Sequence, residues 1–239
     1  MSNEVASGEP RLGRVIAIDG PSGAGKSTVA LGVGRRLGFL HVDSGALYRI
    51  MTLAALRAGI DCDDADAVRD FCTSKVDVEF AVRDGAVAAL VGGAEPGDAI
   101  RTPEVNASVS PVSKVPEVRG KINEWLRGMR RLGDLVVEGR DIGSVVFPDA
   151  PARFYLDASP EARARRRHLE ELSKGMASQG EDAIKASLLN RDKIDSTRKT
   201  APLKVAEGAV VIDSTSLGID EVLDIVEAHS RKALGLEGK

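Results

Sequence analysis

Nine consecutive residues, Gly20-Pro21-Ser22-Gly23-Ala24-Gly25-Lys26-Ser27-Thr28, are suited to hold a polyphosphate. Gly20, Gly25, Lys26 and Ser27 fill the GxxxxGKS pattern, and the run follows the apolar stretch Val15 to Ile18 and Asp19. In such a loop the backbone N–H groups of a glycine-rich turn and the N-terminus of the next helix converge on phosphate oxygens. The glycines let the backbone close around an anion with no Cβ in the way. Lys26 adds a point charge for the β- and γ-phosphates, and the Ser27 hydroxyl is suited to ligate Mg²⁺. All nine residues are candidate contacts to a nucleoside triphosphate, with Lys26 expected to point into a solvent-open site. What remains is where the γ-phosphate goes.

Four further clusters have side chains suited to chemistry. Asp43-Ser44-Gly45-Ala46-Leu47-Tyr48-Arg49 follows a second apolar strand. Ligands bind at the carboxyl ends of parallel strands, so this turn should face the same crevice, although Ser44 is also suited simply to N-cap the following helix. Glu138-Gly139-Arg140-Asp141-Ile142-Gly143 ends another core strand. Its bland reading is a local Arg140–Asp141 ion pair, worth about 1 kcal/mol or less if exposed. In a third cluster, Arg163, Arg166 and Arg167 fall at i, i+3 and i+4 on one helix face, with Arg165 pointing elsewhere. These three should repel one another without an anion, although Glu161, Glu170 and Glu171 nearby also fit an ordinary solvated face. Arg191, Asp195 and Arg198 repeat at i, i+4 and i+7, one face if the helix persists that far.

These residues need a scaffold, and the chain alternates apolar strands with helical patterns, which indicates an α/β parallel sheet wrapped on both faces. Strands are expected at Val15 to Asp19, Phe39 to Val42, Leu135 to Glu138, Arg153 to Asp157 and Val210 to Asp213. Helices are expected at Lys26 to Leu37, Gly45 to Ala58, Pro116 to Leu132 and Ile219 to Leu234. Another follows Asp157, where Ser159 is a good N-cap, Pro160 suits the first helical position and Glu161 favours the positive end of the dipole. Lys75 to Arg101 breaks the rhythm with alternation around Asp84-Gly85, a hairpin signal, and suggests a separate substrate-holding lobe.

With 239 residues, 43% of them hydrophobic, the chain is long enough to fold as one unit. Residues 1–13 read as a loose tail, neither signal peptide nor membrane anchor. Cys62 and Cys72, with His41, His168 and His229 scattered, give no disulfide framework or structural metal site and fit a reducing cytosol. A net charge of −3 argues against a general nucleic-acid binder and leaves room for a local basic pocket.

Taken together, these clusters resemble one family, the bacterial cytidylate kinases of the nucleoside-monophosphate kinase group. The resemblance runs from about Val15 to about Val226 and rests on the runs VDSGALYR, AIRTPEV, VEGRDIGSVVFPDAP and TRKTAPL. One departure is Ala99, where the family usually has an acidic residue before Ile-Arg. The resemblance implies a P-loop three-layer sandwich with a five-stranded parallel core (residues 14–60 and 114–235), a small antiparallel monophosphate-binding insert (about 61–113) and an arginine-bearing lid (about 159–200). It implies transfer of the γ-phosphoryl group of MgATP to CMP or dCMP, in pyrimidine nucleotide metabolism, by a cytoplasmic monomer whose partners are small molecules, not nucleic acid or membrane. Lys26, Arg166 and Arg198 take catalytic roles, and Arg163 and Arg167 join the loop around ATP. Ser44, Arg49, Arg119, Arg140, Asp141, Arg191, Asp195 and Arg198 surround CMP.

The chemistry is consistent with this. A monophosphate acceptor is already an anion at pH 7, its second pKa being about 6, so no catalytic base is needed. Two polyanions must be held in line, which suits arginine's bidentate, permanently charged fork. Cytosine presents an amine where uracil presents a carbonyl, so an ionised carboxylate separates them, and Asp141 is the candidate reader. A kinase of a small-molecule hydroxyl would instead call for a positioned base and fewer arginines. A GTPase-style switch should carry an Asn-Lys-x-Asp guanine reader, which Asn190-Arg191-Asp192-Lys193 does not match.

Overall fold

A computed structural model describes residues 12–74, 76–173, 175 and 180–237, so most of the expected tail lies outside the described residues. The chain runs β1 (Val15–Asp19), α1 (Lys26–Leu37), β2 (Leu40–Asp43), α2 (Ser44–Arg57), α3 (Ala65–Thr73), β3 (Val78–Arg83), β4 (Ala86–Val91), α4 (Pro103–Lys114), α5 (Pro116–Gly128), β5 (Leu135–Gly139), β6 (Ala152–Asp157), α6 (Pro160–Ser173), α7 (Glu181–Thr197), β7 (Val210–Asp213) and α8 (Ile219–Ala233).

The sheet order is β3-β4-β2-β5-β1-β6-β7. The last five of these are the expected parallel core, with β1 between β5 and β6. Side chains alternate between its faces, as a period of two requires. Val15, Ala17, Leu135 and Val137 pack with Leu47, Met51, Ile122 and Leu126 of α2 and α5. Ile16, Ile18 and Val136 pack with Val29, Val33 and Val226 of α1 and α8. Each such fully buried Leu or Ile is worth about 1.5–3 kcal/mol, so these two layers hold rigid the strand ends that carry the site.

The hairpin forms where expected, with Asp84 and Gly85 both at positive φ, 48° and 76°, as a tight two-residue turn demands. β4 also pairs with β2 through His41 and Ala86, extending the sheet from the expected five strands to seven. The part of the insert that faces the site is α4, capped by Thr102 Oγ1 accepting from Val105 N–H at 3.3 Å. Pro111 inside that helix hides it from a reading by propensity. The helix expected to reach Leu132 ends at Gly128 and tightens into a 3₁₀ turn over Met129–Arg131.

Candidate active site

Two glycines of the loop between β1 and α1 sit where a side chain would be crowded. A Cβ on Gly20 would lie 2.0 Å from the carbonyl oxygen of Leu156, and one on Gly23 would lie 3.2 Å from Cβ of Arg163. Lys26 is buried, not solvent-open as expected, because the loop folds over it and its Nζ donates to the carbonyl of Pro21 at 2.7 Å. Burial, followed by the charge of Arg140, lowers its pKa to about 7. Ser27 Oγ donates to Glu138 Oε2 at 2.9 Å, and His41 Nε2 lies 3.1 Å from the other carboxylate oxygen. Burial alone raises the Glu138 pKa, but the contact with His41, the charge of Lys26 and the Ser27 hydroxyl outweigh it and hold it low. Beside it, burial and then Glu138 push Asp43 up.

At the start of α2 the N-cap is Asp43, which accepts from Ala46 N–H at 3.1 Å. Ser44 instead donates to the backbone oxygen of Glu138 at 2.6 Å and lines the cleft. Glu138, which opens the same run as Arg140 and Asp141, thus joins the site without having been singled out by its sequence pattern. The available signal was its place as the last carboxylate of a buried strand.

The turn after β5 is pinned by Asp19, which accepts from the N–H groups of Ile142 and Gly143 at 2.7 and 2.8 Å and whose pKa burial raises to about 6. Adjacent Arg140 and Asp141 do not pair with each other, contrary to the local ion-pair reading. Arg140 Nε donates to Asp195 Oδ2 at 3.1 Å. Asp141 pairs with Arg119, their side chains 5% and 3% exposed, and lies 3.6 Å from Arg198 Nη2. The pinned turn sends the two side chains to different elements.

The three arginines on one face of α6 do not form a repelling cluster, because each has its own partner. Arg163 is buried beneath the loop, donating to the carbonyls of Ala158 (3.0 Å) and Ser22 (2.9 Å) and to Asp192. Arg166 holds Ser214 Oγ at 3.0 Å, and Arg167 pairs with Glu170 and Glu171 of its own helix at 3.1 and 3.0 Å. On α7, burial and then Arg140 lower Arg191 to about 10. The helix ends at Thr197, so Arg198 is not on its face as expected. Extended backbone carries Arg198 into the site, 3.6 Å from Asp195.

One cleft of about 1200 Å³ takes in loop residues Ser22 to Thr28 together with Ser44, Arg49, Arg119, Arg140, Arg166, Arg167, Arg191, Asp195 and Arg198. Of the anticipated residues, Gly20, Pro21, Asp141 and Arg163 do not line it. Arg101, Asn106 and Ser110, to which the sequence reading gave no role, do line it, from α4 and the turn before it. Among the described residues, eight arginines and two lysines face five carboxylates there. In a chain of net charge −3 such a concentration of cations selects polyanions.

The Cytidylate kinase family pattern matches residues 16–232. The cytidylate kinase of Shouchella clausii is 47% identical over 221 residues, 91% of this chain and 97% of that protein. Those of Geobacter sulfurreducens (45%, covering 93% of this chain and 94% of that one) and Pseudomonas aeruginosa (42%, covering 91% and 95%) are similar over nearly the same span. With this agreement over nearly its whole length, the chain belongs to the cytidylate kinase family.

Proposed function

We propose that this protein transfers the γ-phosphoryl group of MgATP to CMP or dCMP, giving ADP and CDP or dCDP. One observation carries the reading: the phosphate-binding loop and the arginines Arg49, Arg140, Arg191 and Arg198 line the same cleft, as two polyanions meeting in line require. The family membership supports the same reaction.

On the donor side, loop residues 22–28, Lys26 among them, hold the β- and γ-phosphates, with Arg166 and Arg167 closing from the lid (about 159–200). On the acceptor side, Arg49, Arg140, Arg191 and Arg198 grip the monophosphate, Asp195 takes the sugar, Ser44 and Arg119 take the base, and Asp141 acts on base choice from behind, through its pair with Arg119. Arg163 does not line the cleft, so its role is to brace the loop from below. The acceptor's phosphate attacks without a general base because it is already ionised.

The residues present fit Mg²⁺: Ser27 Oγ and the Glu138 carboxylate, 2.9 Å apart, form the hard, oxygen-only donor set that this ion takes. Bound there with ATP, the ion would neutralise charge on the phosphate oxygens. No helix among the described residues is long and apolar enough to cross a membrane, and the reading is of a cytoplasmic monomer acting on small molecules.

The test is ADP formation from MgATP with and without CMP. The reading expects ADP to depend on CMP. Slow ATP hydrolysis at the same rate whichever acceptor is added would instead describe a nucleotide switch.

A further inference from the structure

Helix α7 carries two carboxylates three residues apart on one face, Asp192 and Asp195, and they reach different loops. Asp195 holds Arg140, at the end of β5. Asp192 holds the loop at the end of β1: Ser22 N–H donates to its Oδ1 at 3.2 Å, and Arg163 Nη1 donates to its Oδ2. Arg163 also donates to the carbonyl of Ser22 at 2.9 Å. Both backbone groups of one loop residue are thus gripped by a charged pair, one partner on α6 and the other on α7. Arg163 is 4% exposed and its Nε is tied to Ala158, so the anchor is rigid. Charge-assisted hydrogen bonds are about twice as strong as neutral ones.

Neither Asp192 nor Arg163 lines the cleft, whereas Arg191 and Asp195, the helical neighbours of Asp192, do. Asp192 and Arg163 therefore stand behind the cleft and, through Ser22, fix α7 to the donor loop. The side chains that α7 presents to the acceptor inherit that register.

We propose that Asp192 is a positioning residue for phosphoryl transfer, setting the α7 side chains Arg191 and Asp195 against the phosphate-binding loop so that donor and acceptor meet in line. This rests on the kinase reading above. A misplacement of 1 Å between reacting groups costs about a hundredfold in rate, so loss of the latch should act on turnover more than on binding.

The experiment compares wild type, Asp192→Ala and Asp192→Asn by ADP formation from MgATP with and without CMP, alongside thermal unfolding. In Asp192→Ala, kcat with CMP is expected to fall about tenfold or more while KM for CMP stays within about threefold. Hydrolysis without acceptor should hold or rise, so the ratio of transfer to hydrolysis falls about tenfold. Asp192→Asn keeps an oxygen for Ser22 N–H and should recover part of that ratio. A wild-type ratio in Asp192→Ala, or in Asp192→Asn if the alanine variant does not fold, overturns the proposal. Wild-type enzyme that fails to use CMP overturns the kinase reading instead.

Discussion

Ser27 donates to Glu138 across 2.9 Å, so the hydroxyl suited to Mg²⁺ is already shared with a carboxylate from the end of a neighbouring strand. Glu138→Gln should raise the Mg²⁺ concentration needed for half-maximal rate about tenfold or more, the usual size of such losses around a metal site. Initial rates at fixed ATP with Mg²⁺ varied measure this. An unchanged midpoint would remove Glu138 from the metal's surroundings.

Lys26 gives a pH-dependent signature. In the free enzyme its pKa is lowered to about 7, by burial first and the charge of Arg140 second, while phosphate oxygens beside it favour the charged form and raise it. Between those two values, binding ATP takes up a proton; below the lower one, Lys26 is already charged and takes up none. Calorimetry in buffers of different ionisation enthalpy should show up to one proton more taken up by wild type than by Lys26→Met at pH 8, and no difference at pH 6. Equal uptake at pH 8 would contradict it. Lys26→Ala should also lower kcat about a hundredfold or more with the fold intact.

The buried pair of Arg119 and Asp141 links stability to base choice. Replacing Asp141 by Asn leaves Arg119 without its charge partner, and breaking a buried pair costs about 3–5 kcal/mol. Since Asp141 also neutralises Arg198, a second buried cation 3.6 Å away, the upper end of that range is expected in denaturant unfolding. The ratio of kcat/KM for CMP to that for UMP should fall as well, chiefly through CMP. A variant that is destabilised but keeps the wild-type ratio would make Asp141 a structural residue.

Among the described residues, Arg167 pairs with Glu170 and Glu171 of its own helix, partly exposed, and such pairs hold their partners by about 1 kcal/mol or less. It is therefore free to turn toward phosphate at little cost. Arg167→Ala should raise KM for ATP about tenfold, the size of a lost hydrogen bond to a charged group, with the melting temperature nearly unchanged. An unaltered KM for ATP would exclude it from the donor site.

Much of this was legible from residue order. The loop glycines, the capped start of α6 and the two-sided burial of β1 and β5 are local or periodic signals, and these elements appear within a residue or so of their expected bounds. Tertiary partners were not legible. The spacing of Arg163, Arg166 and Arg167 shows that they share a face, but not that Asp192, Ser214 and Glu171 each claim one of them. Neighbouring opposite charges left a local Arg140–Asp141 pair open as the plain alternative, whereas the amide bonds to Asp19 hold a turn in which each side chain meets a different partner. Pro111 concealed α4 and with it Arg101, Asn106 and Ser110. The hairpin was visible, but its pairing with β2 through His41 and Ala86 joins residues far apart in sequence.

The most direct measurement of the central claim is kcat/KM for a panel of monophosphates, CMP, dCMP, UMP and AMP, with MgATP as donor and ADP as the readout. CMP and dCMP should lead, with UMP about tenfold or more behind, since a buried acceptor facing a carbonyl leaves both unpaired at about 1–3 kcal/mol. Equal use of UMP and CMP, or ADP formation indifferent to every acceptor, would contradict the account.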